Sequence, residues 1–247
     1  MNRNEILDRA LNLLKRYERG ELGGERMPED ANPSLSIGSR ENALYFTLPM
    51  ALNYQRSAYA LWESAAATWA DEEARDAFFP EQAVRMGGEE LRHRLLRHRL
   101  ALQPNRHPAI WSRLCETFME DFDGDVRRLF EQCGYSVEKV RDYFAGNKKR
   151  LPYLGGEKIM NYWLYVMEQR CGVRFADREK ITVAPDTHVI QASIRLGVIT
   201  AEEADRSDVR ILTAQRWKIL LENCDYAPID FHTPMWLWSR SGFKAEI

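Results

Sequence analysis

The sequence is poor in cysteine and in long apolar runs, and these two absences exclude several classes of protein. Its 247 residues include four cysteines, none of which has the close spacing of a zinc site or the clustering of an iron–sulfur centre. We expect them to be reduced and structural. No apolar run is long enough to span a bilayer and the N-terminus has no signal core, so we expect a cytoplasmic protein without a membrane partner. Nothing in the sequence indicates a metal or organic cofactor, and we expect a monomer.

A strong net charge is also missing. The 35 lysines and arginines nearly balance the 37 aspartates and glutamates, which leaves a formal net charge of -2. A nucleic-acid-binding protein needs a basic face rather than a basic average, so this balance neither requires nor excludes such a partner. The segment from Glu89 to Leu102 places arginines around a stripe of leucines. It predicts either a solvated helix face or a face that contacts phosphates.

Regular β-strand patterns are absent, and apolar residues instead recur at helical spacing over most of the chain. This spacing predicts an all-α protein. We expect two helical lobes with a cleft between them: residues 40–165 form a bundle that ends in a helical hairpin, and residues 1–35 with 175–247 form the second lobe. The expected helices include Ala43 to Trp69, interrupted near Pro49, and Thr187 to Leu196.

The hairpin is predicted from the stretch Leu151-Pro152-Tyr153-Leu154-Gly155-Gly156-Glu157-Lys158. Adjacent glycines allow positive φ angles and close approach of another backbone, and the N-terminus of the following helix presents unpaired N–H groups that suit a phosphate. Glycine turns are common between helices, so a purely structural turn is the alternative. A short basic patch precedes the turn and is a candidate for contacts with backbone phosphates: Lys148, Lys149 and Arg150.

A second informative stretch is Val183-Ala184-Pro185-Asp186-Thr187-His188-Val189, followed by Arg195-Leu196-Gly197. Pro185 fixes the backbone before Asp186, and an aspartate at the start of a helix usually caps it. Capping alone would account for Asp186.

In this order the two stretches resemble the helix-hairpin-helix DNA glycosylase superfamily, as in endonuclease III and the 8-oxoguanine glycosylases. The hairpin of that family reads roughly Leu-Pro-Gly-Val-Gly-x-Lys, and its later segment reads Val-Asp-Thr-His-Val with Arg-Leu-Gly a few residues on. Asp186 to Val189 and Arg195 to Gly197 match closely, while the hairpin has one residue more and its glycines are displaced. The resemblance covers roughly residues 43–197, and it includes Leu52-Asn53-Tyr54-Gln55, which is similar to the family's apolar pair followed by Ser/Asn-x-Gln.

The resemblance implies a base-excision DNA N-glycosylase with AP-lyase activity, which flips a damaged base of double-stranded DNA, such as an oxidised purine, into a pocket. By the resemblance, Asp186 stabilises the positive charge that develops on the sugar. Lys158 attacks the first carbon of the sugar and forms a Schiff base, after which the strand is cut by elimination. Gly155 and Gly156 bind a phosphate, and Gln55 fills the gap that the extruded base leaves. Simpler roles remain open: Lys158 as a plain phosphate-binding or solvent-exposed lysine, and Gln55 as an ordinary polar residue of a helix.

The base pocket is predicted from aromatic residues, since flipped bases commonly lie between aromatic or apolar side chains. The candidates are Trp62, Trp163, Trp236, Trp238 and His188. Most tryptophans of helical proteins are core residues, and we expect at least half of these four to be so. For His188 the expected role is to hold the start of its helix, with a role in the site as the alternative.

Three other classes of function remain open. One is an N-glycosidase that acts on a modified nucleoside or nucleotide, which the near-neutral charge and the displaced glycines favour. The second is a non-catalytic nucleic-acid binding module, and the third is a helical adaptor in which the motif matches are accidental. A continuous basic groove across Glu89 to Leu102 and the hairpin would favour duplex DNA, whereas a small closed pocket would favour a free nucleotide.

Overall fold

The computed structural model describes residues 2–23 and 27–247, with the backbone alone at Glu157. Over these residues the protein is all-helical and contains no β-strand, as the sequence predicts. Met1 and residues 24–26, which fall in the predicted second lobe, lie outside the described residues. In chain order the helices are α1 (Arg3–Glu18), α2 (Arg40–Thr47), α3 (Ala58–Ala70), α4 (Glu72–Arg75), α5 (Pro80–Arg97), α6 (Arg106–Phe122), α7 (Arg127–Gln132), α8 (Val137–Gly146), α9 (Glu157–Cys171), α10 (Thr187–Leu196), α11 (Ala201–Ala204), α12 (Val209–Leu220) and α13 (His232–Arg240).

The chain divides into two compact units, and their boundaries differ from those of the predicted lobes. The central unit is Arg26–Asp177, and the terminal unit combines Met1–Glu25 with Arg178–Ile247. The predicted division assigned residues 26–35 to the second lobe and ended the first lobe at residue 165. None of the helices in the described ranges is both long and apolar enough to cross a membrane.

Residues 28–31 belong to the central unit because side chains of its helices hold them. Glu29 lies in a 3-10 turn, Pro28–Asp30, and its carboxylate accepts a hydrogen bond from the Tyr162 hydroxyl of α9 at 2.6 Å. Tyr45 of α2 donates its hydroxyl proton to the carbonyl of Ala31 at 3.0 Å. Burial raises the pKa of Glu29. Such long-range side-chain contacts are not visible in local sequence, which is why the bounds of the units differ from those of the predicted lobes.

The core of the central unit is built around Tyr45. Its ring lies 5.2 to 5.8 Å from the rings of four other aromatic residues, which are Phe46, Trp62, Trp69 and Phe78. Burying a side chain of this size contributes about 1.5–3 kcal/mol, and favourable ring pairs add about 0.5–1.5 kcal/mol each. This cluster joins α2 to α3 and to the 3-10 turn Asp76–Phe78.

The predicted interruption of the core helix from Ala43 to Trp69 near Pro49 is confirmed, and it is longer than a kink. Helix α2 ends at Thr47, a 3-10 turn follows at Pro49–Leu52, and residues 53–57 are non-helical. Gln55 takes a φ of +51° in this loop, a left-handed conformation that residues other than glycine rarely adopt. Ser57 then starts α3 by accepting the Ala60 N–H at 3.5 Å.

The terminal unit packs α1 against α10 and α13, and α12 against α10. Trp217 of α12 is fully buried, donates its indole proton to Ser193 of α10 at 2.9 Å, and stacks on Phe231 at 5.0 Å. Helix α10 has the bounds that its sequence predicts. Asp186 caps its first turn, and Gly197 ends it with a φ of +86°.

Candidate functional site

The hairpin segment, residues 147–156, joins α8 to α9 in the central unit. The positive φ in it belongs to Tyr153, at +63°, and not to either of the adjacent glycines. Gly156 is extended, with φ and ψ of -67° and 136°. The expectation that the glycine pair supplies the left-handed conformation of the turn is therefore wrong.

Gly155 has a packing role instead. A Cβ atom on Gly155 would lie 3.2 Å from Cδ1 of Phe144 in α8, which is tighter than most real Cβ contacts. A Cβ atom on Gly156 would lie 3.5 Å from the carbonyl oxygen of Tyr153, which is an ordinary contact. Gly155 therefore lets the hairpin segment approach α8, whereas the position of Gly156 accepts a side chain.

This difference gives a matched pair of variants. We expect Gly155→Val to lower the free energy of unfolding by about 1–3 kcal/mol, because the added methyls press on Phe144. Gly156→Val should change it by only about 0.5 kcal/mol. An N-cap side chain lies over the first N–H groups of the helix, so Gly156→Val should still weaken binding to duplex DNA about tenfold. Chemical denaturation and fluorescence anisotropy measure the two effects; equal stability of the variants would contradict the packing role, and unchanged affinity of Gly156→Val the binding role.

The N-terminus of α9 carries no side-chain cap, since its N-cap residue is Gly156. The helical hydrogen bonds begin with the Met160 N–H, which donates to the Gly156 carbonyl at 2.8 Å. The N–H groups of the three preceding residues thus have no acceptor within the helix. Lys158 lies exposed on this first turn. Free N–H groups and the positive end of the helix dipole make this end of α9 suitable for an anion.

The basic patch before the turn is only partly free. Lys148 and Lys149 are exposed. Arg150, which was predicted to contact DNA, instead forms ion pairs at 2.7 Å with Asp121 and with Glu120 of α6. The hydrogen bond from Arg150 lowers the pKa of Asp121. The Arg150 side chain is therefore part of the scaffold that holds the hairpin segment to α6.

The loop that carries Gln55 contacts the hairpin segment. The ring of Tyr54 stacks on that of Tyr153, with centroids 4.4 Å apart and planes 11° from parallel. The guanidinium carbon of Arg106 lies 5.7 Å from the Tyr54 centroid and 5.0 Å from the Tyr153 centroid. Gln55 is exposed beside this stack. Tyr54 and Tyr153 each lie in one of the sequence motifs, but no local signal predicts that their rings stack.

The arginines of the Glu89 to Leu102 segment are mostly paired within the protein. Arg92 pairs with Glu89 in α5, Arg94 with Glu90 and Asp76, and Arg97 with Asp71 and Glu73. His98 also contacts Asp71, at 2.7 Å. These contacts correspond to the solvated helix face, the first of the two predictions for this segment.

Asp186 lies in the terminal unit, half-buried at the start of α10. Its Oδ1 accepts the Val189 N–H at 3.0 Å, which is the expected capping bond. One carboxylate oxygen is sufficient for this cap, so Oδ2 is available for another contact. The preceding residues, Val183 to Pro185, are buried and fix the position of the carboxylate.

His188 has a structural partner. Its Nδ1 lies 3.1 Å from the hydroxyl of Ser239 in α13, and that hydroxyl donates to Gln191 Oε1 at 3.1 Å. Because the hydroxyl proton is used on Gln191, Nδ1 is the donor to Ser239 and carries the ring proton. The edge of His188 also contacts the half-buried ring of Trp236 at 5.6 Å, and Arg240 lies 5.0 Å over that ring.

Three of the four tryptophans predicted for the base pocket are core residues. Trp62 and Trp163 are fully buried in the central unit, and the indole of Trp163 donates to Thr47 at 3.0 Å. Trp238 is 3% exposed and donates to the carbonyl of Ala245. A base cannot stack on these rings because protein atoms already cover them. Of the four tryptophans, Trp236 is the one that is half-buried rather than buried.

Lys158 belongs to the central unit and Asp186 to the terminal unit. The part of the chain that the structure describes has no group of three or more His, Cys, Asp or Glu side chains placed to hold a metal ion. A cavity of about 530 Å³ lies in the terminal unit beside α12, and its lining includes Ile219, Tyr226 and Pro228. It contains none of the predicted site residues.

Comparison with known proteins adds no family. A scan of protein-family models finds none that matches the chain, and a search of curated proteins finds no similar sequence.

Proposed function

We propose that the protein is a DNA N-glycosylase of the helix-hairpin-helix kind with lyase activity. In this proposal the hairpin segment and the N-terminus of α9 hold a phosphate of the strand, and Gln55 enters the duplex where a damaged base is extruded. Lys158 is the nucleophile, and Asp186 stabilises the charge that develops on the sugar.

The observation that carries the proposal is the stack of Tyr54 on Tyr153. The sequence resemblance assigns DNA contacts to two segments that are far apart in the chain, the Gln55 loop and the hairpin segment. The stack brings these two segments into contact on one unit. A shared substrate explains why two exposed loops with these residues lie side by side, whereas an adaptor has no need for the combination.

The proposed reaction needs acceptors for the protons that are released and a group that stabilises positive charge on the sugar. The neutral amine of Lys158 attacks the first carbon of the sugar while the bond from that carbon to the base nitrogen breaks, and the base leaves with the electron pair. The nitrogen of Lys158 gives a proton to the departing base, and opening of the sugar ring, whose oxygen takes a proton from water, leaves a protonated Schiff base on Lys158. Water then accepts a proton from the second carbon, and the electron pair of that C–H bond expels the 3′ phosphate. A fixed carboxylate is the group that stabilises the cationic sugar in the transition state, and the capping bond of Asp186 fixes its carboxylate.

The test is borohydride trapping on a panel of duplex oligonucleotides that carry single damaged bases. We expect a covalent protein–DNA band with at least one duplex, because borohydride reduces a Schiff base to a stable amine. Lys158→Gln should abolish the band. Lys139→Gln is the matched control, since Lys139 is an exposed lysine of neighbouring α8 outside the hairpin segment. It should give a band of wild-type intensity.

Two outcomes would contradict parts of the proposal. Base release without any band would mean that water is the nucleophile, and the role of Lys158 would be wrong. Neither a band nor base release on any duplex would remove duplex DNA as the substrate.

A second candidate is an N-glycosidase that acts on a modified nucleoside or nucleotide. The observation that favours it is the pairing of Arg92, Arg94, Arg97 and Arg150 with carboxylates, which leaves fewer cations for a long DNA backbone. Release of a base from a free nucleotide in the absence of any activity on duplexes would support this candidate.

A further inference from the structure

Three segments of the central unit contain no aspartate or glutamate: the loop 53–57; residues 98–107, which are the α5–α6 loop with the first two residues of α6; and the loop 147–156. They contact one another. The first and third segments meet in the stack of Tyr54 on Tyr153, and Arg56 of the first donates to the Leu100 carbonyl of the second at 2.8 Å. We call them the three-segment patch. Its basic residues are Arg56, Arg99, Arg106, Lys148, Lys149 and Arg150.

The charge of this patch is largely uncompensated. Arg99 and Arg106 are exposed, and among the side chains that the structure describes no carboxylate lies within ion-pair distance of either. The arginines of α5 and Arg150, by contrast, are held by acidic side chains. In a protein of net charge -2, this segregation concentrates positive charge on one set of segments.

Local structure makes the position of Arg106 unfavourable for a cation. Arg106 is the first residue of α6, whose first turn contains no acidic residue and whose N-cap Asn105 makes no side-chain cap. A cation at the positive end of a helix dipole is disfavoured. Arg99 directly follows the C-cap of α5 and has a φ of +59°, a left-handed conformation that ends many helices but that residues other than glycine and asparagine rarely supply. Residues that oppose local stability in this way are frequently there for a ligand.

A buried histidine of the 98–107 segment has a donor without a hydrogen-bond partner. His107 is 1% exposed, and its Nδ1 accepts the Leu102 N–H at 3.1 Å, so the proton of the neutral ring is on Nε2. Nε2 has no hydrogen-bond partner among the described residues. Burial, and then the charges of Arg56 and Arg106, lower the pKa of His107. The centroid of the His107 ring lies 5.3 Å from that of Tyr54, in an edge contact.

We propose that Arg99 and Arg106 of the 98–107 segment bind backbone phosphates of duplex DNA next to the point where Gln55 enters it. The inference rests on the proposed function and adds the 98–107 segment to its DNA interface. Guanidinium groups present paired N–H donors that match phosphate oxygens. The Tyr54–Tyr153 stack supports Arg106 through its ring faces. In this proposal the DNA phosphates are thus bound by the 98–107 segment and the hairpin segment, and not by the paired arginines of α5.

The test uses an undamaged, fluorescently labelled duplex, so that it needs no base release. Anisotropy gives the Kd of wild type, Arg99→Gln, Arg106→Gln and the double variant across a series of salt concentrations. The matched control is Arg94→Gln, which removes the same charge from an arginine held by Glu90 and Asp76. Thermal unfolding of every variant accompanies the binding measurements, and we expect no loss of stability from Arg106→Gln.

Each lost phosphate contact should reduce the slope of log K against log salt by about 0.9, and the double variant by about 1.8. At 0.1 M salt this corresponds to roughly eightfold weaker binding per arginine. Arg94→Gln should keep the wild-type slope. A single-stranded oligonucleotide of the same sequence should bind more weakly than the duplex.

Unchanged slopes in the arginine variants, or equal slope changes in the Arg94→Gln control, would overturn the inference. Wild-type protein that binds no duplex at about 50 mM salt, or that prefers the single strand, would also overturn it. The result is separable from the proposed function. The predicted slopes without base release on any duplex would support the phosphate contacts of Arg99 and Arg106 and remove the glycosylase activity.

Discussion

Asp186→Asn is expected to reduce the rate of base release at least about 100-fold, the size of effect that removal of one fixed electrostatic group has in enzyme sites. The amide keeps the shape of the side chain and caps a helix as well as an aspartate does, so α10 should remain intact. Loss of the negative charge at the helix N-terminus costs at most about 1 kcal/mol. A large loss of activity would therefore accompany a small loss of stability.

The measurement is single-turnover base release, followed by chromatography of the free base, with thermal unfolding of the same samples. Asp186→Ala is the control for the cap. It removes the bond between Oδ1 and the Val189 N–H and should lower the free energy of unfolding by about 1 kcal/mol. Wild-type rates in Asp186→Asn would limit Asp186 to capping and would refute the proposed mechanism.

Trp163→Ala is expected to lower the free energy of unfolding by about 3–5 kcal/mol, because it leaves a large cavity in the core of the central unit. Trp163 is fully buried, and its ring lies 5.3 Å from that of Phe130 and 5.6 Å from that of Phe144. The change also leaves Thr47 without its indole donor. A loss of this size is a large part of the typical 5–15 kcal/mol of stability.

Trp236→Ala is the matched variant for this prediction. Trp236 is half-buried in the terminal unit, and its loss should cost about 1 kcal/mol. Denaturant titrations compare the two variants. Similar stability of Trp163→Ala and wild type would mean that the ring is accessible and that Trp163 is a candidate for the base pocket after all.

Local sequence signals predicted the helices with strong caps. Helix α10 is bounded by Asp186 and Gly197, and both residues act through hydrogen bonds or dihedral angles of their immediate neighbours. Pro49 predicted the interruption of the core helix, but its extension through residues 53–57 was not predicted because no proline or glycine marks those residues. The reversal of the chain there depends on the left-handed conformation of Gln55, which the surrounding fold imposes rather than the local sequence.

Long-range contacts decided most of what the sequence did not predict about the site. The charge of Arg150 is visible in the sequence, but its availability depends on Asp121, which only the packing of the hairpin segment on α6 brings near. The same applies to Arg106. No sequence pattern singles it out, and only the fold places its guanidinium over the ring of Tyr153. A list of basic residues therefore predicts candidates for DNA contact, and their carboxylate partners select among them.

The composition of the terminal unit has a consequence for the order in which the protein matures on the ribosome. Helix α1 buries Ala10 and Leu13 against helices that are synthesised only after the whole central unit. At about 5–20 residues per second, residues 178–247 take roughly 4–14 s to emerge. During that interval the nascent chain holds a finished hairpin segment and no Asp186. In the proposed function, the incomplete polypeptide contains the segment proposed to bind a DNA phosphate before it contains the carboxylate proposed to act in base release.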